Sequence, residues 1–176
     1  FGTNKGISVY NPKAGIRGIK FAYYNQESNA IGDQIRYLKK DRDDNIWIGT
    51  ADASVSMYNY KTGRFESNPV ITRFFRVNQL VTAMDIDSEN QLWIGTLEGL
   101  IYYNIDDNNS QLLSQISGLN GADISAVYAD SKNQVWVGIN NGKGLNVIQG
   151  DSIGKIELEG LITPKSIVED KDGLIY

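Results

Sequence analysis

Six side chains in this sequence combine the types that hold a polar organic ligand: Tyr24, Asp52, Phe75, Arg76, Asn140 and Lys143. An aromatic ring, a planar cation that grips an acidic group at two points, and flanking amide and carboxylate groups together suit a sugar ring with an acidic substituent. The three tryptophans Trp47, Trp93 and Trp136 also have the type of a sugar platform, but they recur at one position of a repeated motif, so they are read as packing residues of a common slot. Asp41-x-Asp43-x-Asn45 opens like a calcium loop with Asp52 at its twelfth position. Ile46 stands where that loop needs glycine, so the run is read as a turn and no metal is expected.

Composition removes other chemistries. There are no histidines and no cysteines, which leaves no imidazole base, thiol nucleophile, disulfide or thiolate metal site. Gly142-Lys143-Gly144 lacks the frame of a phosphate loop, and no carboxylate pair stands out for glycoside cleavage. The chain is expected to be non-catalytic and to need no cofactor. Its 176 residues carry a net charge of −4, so no positive field gathers nucleic acid. No apolar run reaches the roughly 18 residues that cross a bilayer, and no direct membrane insertion by this region is expected.

The elements that must position these side chains come from a repeat. Asp41 to Thr50, Asp87 to Thr96 and Asp130 to Ile139 align without a gap through Ile-Trp-Ile-Gly-Thr, Leu-Trp-Ile-Gly-Thr and Val-Trp-Val-Gly-Ile. A fourth copy runs from Asp170 to Tyr176, with Tyr in the Trp place, and Phe1-Gly2-Thr3 holds the other half of a copy. The spacing falls in the range of about 40 to 50 residues that marks propeller blades. Each unit reads as four strands. The first covers Ile35 to Lys40, Val81 to Ile86, Ile124 to Ala129 and Ser166 to Glu169; the second is the Trp run; the third is the Tyr-Asn run at Tyr10-Asn11, Tyr58-Asn59 and Tyr103-Asn104. The fourth covers Ile16 to Tyr23, Arg64 to Phe74, Gln111 to Ile116 and Ile153 to Leu158, and no helix is expected. Asp41, Asp87, Asp130 and Asp170, six residues before each aromatic, accept N–H bonds within a turn. Asp44, Asn90, Asn133 and Gly173, three before it, suit positive φ.

The second strand is apolar on both faces, so both must be covered, and radial stacking of like sheets does this while leaving only short edges. The expected architecture is all-β: a β-propeller with four antiparallel four-stranded blades' worth of repeats in one region, residues 1–176. Blade junctions are expected near 25–34, 75–79, 118–123 and 159–164. A four-blade ring closed by both chain ends and a stretch of a larger ring both fit, and the stretch is preferred because four lies at the bottom of the usual blade range.

These residues resemble the two-component regulator propeller repeat, with a pattern close to E-D-x-x-G-x-[LI]-W-[IV]-G-T-x-x-G-[LI]-x-x-[YF]-[ND]. The likeness is greatest over Asn90 to Asn104 and least at Ala53-Ser54, Asn140 to Lys143 and Ile16 to Gln34. The resemblance implies a seven-bladed propeller in the periplasmic sensor region of a hybrid histidine kinase, with an oligosaccharide as ligand. The remaining blades of a parent ectodomain are then its partners. The alternative is a protein-interaction or dimerisation scaffold, with a homodimer as its product. In propellers the loops joining second to third strands, and fourth to next first strands, emerge on one face. The six candidate side chains lie on or beside those loops, where the copies disagree.

Overall fold

The computed structural model describes residues 1–10, 21–24, 34–51, 55–75, 80–114, 117–141, 144–160 and 162–176, with backbone alone at 10 and 21–24. The described residues form, in order, β1 (Gly2–Thr3), β2 (Gly6–Tyr10), β3 (Phe21–Tyr24), β4 (Ile35–Lys40), β5 (Ile46–Thr50), β6 (Val55–Asn59), β7 (Arg64–Ser67), the short helix α1 (Pro69–Thr72), β8 (Ala83–Ile86), β9 (Gln91–Gly95), β10 (Leu100–Asn104), β11 (Asn109–Leu113), β12 (Ile124–Ala129), β13 (Val135–Ile139), β14 (Leu145–Gln149) and β15 (Ser152–Ile156). They form antiparallel meanders β4-β5-β6-β7, β8-β9-β10-β11 and β12-β13-β14-β15, preceded by the three-stranded β1-β2-β3. The fold is all-β and has the layout of propeller blades.

The repeat builds each meander by one recurring set of hydrogen bonds. Asp87 Oδ1 accepts the Glu89 and Gln91 amides at 3.0 and 2.9 Å, and its Oδ2 accepts the Trp93 indole N–H at 2.8 Å. Asp41 does the same for Asp43, Asn45 and Trp47, and Asp130 for Lys132, Gln134 and Trp136. In the last copy Asp170 holds the Asp172 and Leu174 amides and the Tyr176 hydroxyl. The residues three before each aromatic take the left-handed backbone, with φ of 65° at Asp44, 63° at Asn90, 59° at Asn133 and 79° at Gly173. The spacing of Asp and Trp therefore sets the hairpin and fixes the indole ring at once.

Neighbouring sheets stack through their Trp strands. Between the second and third sheets lie Trp47, Val81, Met84, Leu92, Ile94 and Tyr103, and between the third and fourth lie Trp93, Leu100, Ile124, Val135, Val137 and Ile148. The motif glycine permits the approach: a Cβ on Gly95 would stand 2.7 Å from Ile124 Cγ2, and one on Gly2 2.5 Å from Ile35 Cγ2.

Three expectations are corrected. The strand expected from Arg64 to Phe74 stops at Ser67, and a helix follows where none was expected. Asn68 caps it, its Oδ1 accepting the Val70 and Ile71 amides, and Pro69 with its fixed φ supplies the first helical position. Trp136 is half-buried, whereas Trp47 and Trp93 are buried against the next sheet. The first strand expected at Ser166 to Glu169, in the unit split between the two chain ends, is reduced to a single bridge, Glu169 with Ile175. The two halves of this split unit stay apart among the described residues: Phe1 is 75% exposed and Tyr176 69%. This is consistent with a stretch of a larger propeller.

Candidate functional site

Two kinds of connection shape the loop face. The tight β9–β10 loop is closed by Thr96, whose hydroxyl donates to the Gly99 carbonyl at 2.8 Å and accepts the Glu98 amide at 3.1 Å. Thr3 repeats this with Gly6 and Lys5. Both threonine loops thereby close on themselves and present their tips outward, with Leu97 and Glu98 exposed. In the fourth sheet Ile139 replaces Thr, so the closing bonds change. The Asn140 side-chain amide donates to Asp123 Oδ1 at 2.6 Å and its backbone N–H to the Asp123 carbonyl at 2.8 Å. Asn141 turns the chain with φ of 63°.

The second kind of connection leads from one sheet to the next. The connection before β12 is pinned by Asn146, a fully buried side chain that stands where Ile101 stands in the third sheet. Its Oδ1 accepts the Asn120 amide at 2.9 Å and its amide donates to the Gly154 carbonyl at 3.0 Å. The connection before β8 is filled by α1 and by Phe74 and Phe75.

Of the six candidate side chains, Asp52, Arg76 and Lys143 lie outside the described residues, and Tyr24 is described by its backbone, paired with Ile7 at the end of β3. Phe75 is half-buried and packs against the apolar core between the second and third sheets. Asn140 belongs to the fourth sheet and is engaged with Asp123. The structure thus assigns Phe75 and Asn140 to different junctions and gives each a local role.

The opposite face carries the Asp turns and is laced from sheet to sheet. Arg42 donates its backbone N–H to Asn90 Oδ1 at 3.0 Å and pairs with Asp106 at 2.8 Å, while Asn90 donates to the other Asp106 oxygen. Ser88 donates to Asn133 at 2.7 Å. Inside, Asp85 takes Lys39 at 2.6 Å on one side and the Ala129 amide at 3.0 Å on the other, joining three sheets through one carboxylate. Sequence reasoning named Asp41, Asp87, Asp130 and Asp170 as turn residues and missed the indole bond; the constant interval of six to the aromatic was its signal. It also passed over the side chains around a crevice between the third and fourth sheets. Among the described residues no group of three or more carboxylates could hold a metal ion.

Residues 29–52 match the family model of the two component regulator propeller. The match covers one copy of the repeat, and it is the similarity of that segment. Three solved structures share the fold. The extracellular domain of a hybrid two component system from B. thetaiotaomicron superposes with a TM-score of 0.77 at 20% identity, over 99% of this chain and 24% of that one. The extracellular domain of a one component system from the same organism gives 0.76 at 25% identity, over 99% and 26%. A catalytically inactive histidine-to-alanine form of virginiamycin B lyase from Staphylococcus aureus gives 0.67 at 16% identity, over 96% and 54%, a likeness of fold. This propeller stretch thus spans about a quarter of the extracellular domains it matches. No curated protein matches the chain. No helix among the described residues is long and apolar enough to cross a membrane.

Proposed function

We propose that this chain is part of the periplasmic ligand-sensing propeller of a hybrid two-component sensor kinase, that it is non-catalytic, and that its ligand is a carbohydrate. The observation that carries the reading is the two component regulator propeller repeat, set in a fold that follows extracellular sensor-system domains along 99% of its length. The ligand would sit on the loop face, with Tyr24 and Phe75 as apolar contacts, Arg76 and Lys143 for an acidic substituent, and Asp52 and Asn140 for hydroxyls. The remaining blades of the ectodomain complete the ring. The lyase relative is inactive when a histidine is replaced, and this chain has no histidine, which favours binding over catalysis here.

The test is a glycan array followed by calorimetric titration on the full ectodomain. Binding of an oligosaccharide, weakened by Arg76→Ala without unfolding, is the expected result; silence of both Arg76→Ala and Phe75→Ala moves the site elsewhere. A second reading, a protein-interaction or dimerisation scaffold, is favoured by the exposed Val168, Leu174 and Tyr176 near one end of the stack and Phe1 and Val9 near the other. Absence of glycan binding together with concentration-dependent dimerisation would select it.

A further inference from the structure

The junctions between successive sheets follow one template, yet they are not filled alike. Between the second and third sheets the slot beside the Trp is closed. Tyr103 meets Trp47 edge-on with ring centroids 5.5 Å apart, Ile71 of α1 is fully buried there, and Arg73 clamps α1 to β11 through the Ser110 hydroxyl and carbonyl at 3.1 Å. Between the third and fourth sheets Ile148 stands in the place of Tyr103, and the shorter connection 114–123 replaces 68–82 with its helix. A crevice of about 620 Å³ lies there, running from the turns at Glu89 and Asp151 to Leu113 and Ser117.

Its lining has a definite chemistry. Tyr102, half-buried, lies against Trp93 at 4.9 Å and forms an aromatic wall. Gln91, Gln111, Glu89 and Asp151 surround it, and Gln91 donates to Glu89 at 3.2 Å. Amides paired with carboxylates match the alternating donors and acceptors of vicinal hydroxyls, and an aromatic wall takes the C–H face of a pyranose. The described lining includes no lysine or arginine, while Asp87, Glu89 and Asp151 bring negative charge, so a sulfate or uronate would meet repulsion. We infer that this crevice is a binding site for an uncharged oligosaccharide, distinct from the loop-face candidates with their two cations. The inference rests on the carbohydrate reading above and names a sugar class and a place for it.

The experiment is calorimetric titration of the full chain with neutral xylo-, manno- and gluco-oligosaccharides and, in parallel, with oligogalacturonates and sulfated oligosaccharides. A neutral series should bind, and Gln111→Ala combined with Asp151→Ala, both exposed positions, should weaken it about tenfold or more. Ile148→Tyr, which installs the side chain of the closed junction, should abolish binding with thermal stability kept; if that variant unfolds, the exposed pair alone decides. Binding of neutral sugars that ignores the crevice variants, or binding of anionic sugars only, overturns the site while leaving the carbohydrate reading standing. No binding by any sugar overturns both.

Discussion

At the level of single residues, the Asp–Trp pair is the unit on which the rest depends. One carboxylate satisfies two turn amides and one buried indole N–H, so its loss leaves three donors unpaired. Asp87→Ala should cost about 3 kcal/mol in urea-induced unfolding, and Asp130→Ala less, because water reaches half-buried Trp136 and can replace the lost acceptor. Equal costs for the two would mean that the indole bond contributes little.

Titration follows the same environments. The backbone N–H of Leu174, with those of Asp172 and Gly173 and the Tyr176 hydroxyl, holds Asp170 below its ordinary value. A carboxylate with a depressed folded value stabilises its turn above the unfolded value and loses that contribution as pH falls through the folded one. A carbon-detected titration of Asp170 should give a midpoint below that of a free aspartate, and a midpoint at or above it would contradict the turn geometry. Tyr37 and Tyr103 shift the other way, raised by burial, with Asn68 donating to Tyr103 as a smaller opposing effect. Here the unfolded chain ionises first, so stability should fall as pH rises past the ordinary tyrosine value of about 10. Replacing both by Phe should flatten that alkaline limb in thermal melts.

Among the elements, the contact between one sheet's second strand and the next sheet's first strand sets the stacking distance. Gly95→Ala forces a methyl against Ile124 Cγ2, a β-branched atom with little freedom. It should destabilise by about 1–3 kcal/mol, more than Gly49→Ala, whose new atom would meet Val81 Cγ1 at 3.0 Å. The reverse order in chemical denaturation would show that the third junction is the looser one. Helix α1 works as a wedge, with one buried side chain, Ile71, directed into the core, so Ile71→Ala should cost roughly 2–5 kcal/mol through the cavity it leaves.

For the whole molecule, successive sheets stack through their Trp strands, with a different set of cross-links at each junction. Ser131 donates its amide and hydroxyl to Glu169, so the C-terminal segment is tied to the fourth sheet even without a complete blade. The meander order, the turn positions and the Trp slot were legible in the sequence because a repeat displays the same physical constraint several times, and a constraint met at every copy stands out from chance. Asn90 and Gly173 differ chemically yet occupy one φ, which only their common place in the repeat reveals. The departures from the template behave differently. That 68–75 would coil into a capped helix and seal one junction, that Ile148 in place of Tyr103 would leave the next one open, and that Asn140 would turn back to Asp123 all depend on side chains far apart in the chain meeting across a gap of fixed width. Local pattern specifies what every blade shares, since hydrogen bonds within a hairpin involve near neighbours. The contents of each junction are decided by which volumes face each other once the sheets have stacked, and that only the tertiary structure determines.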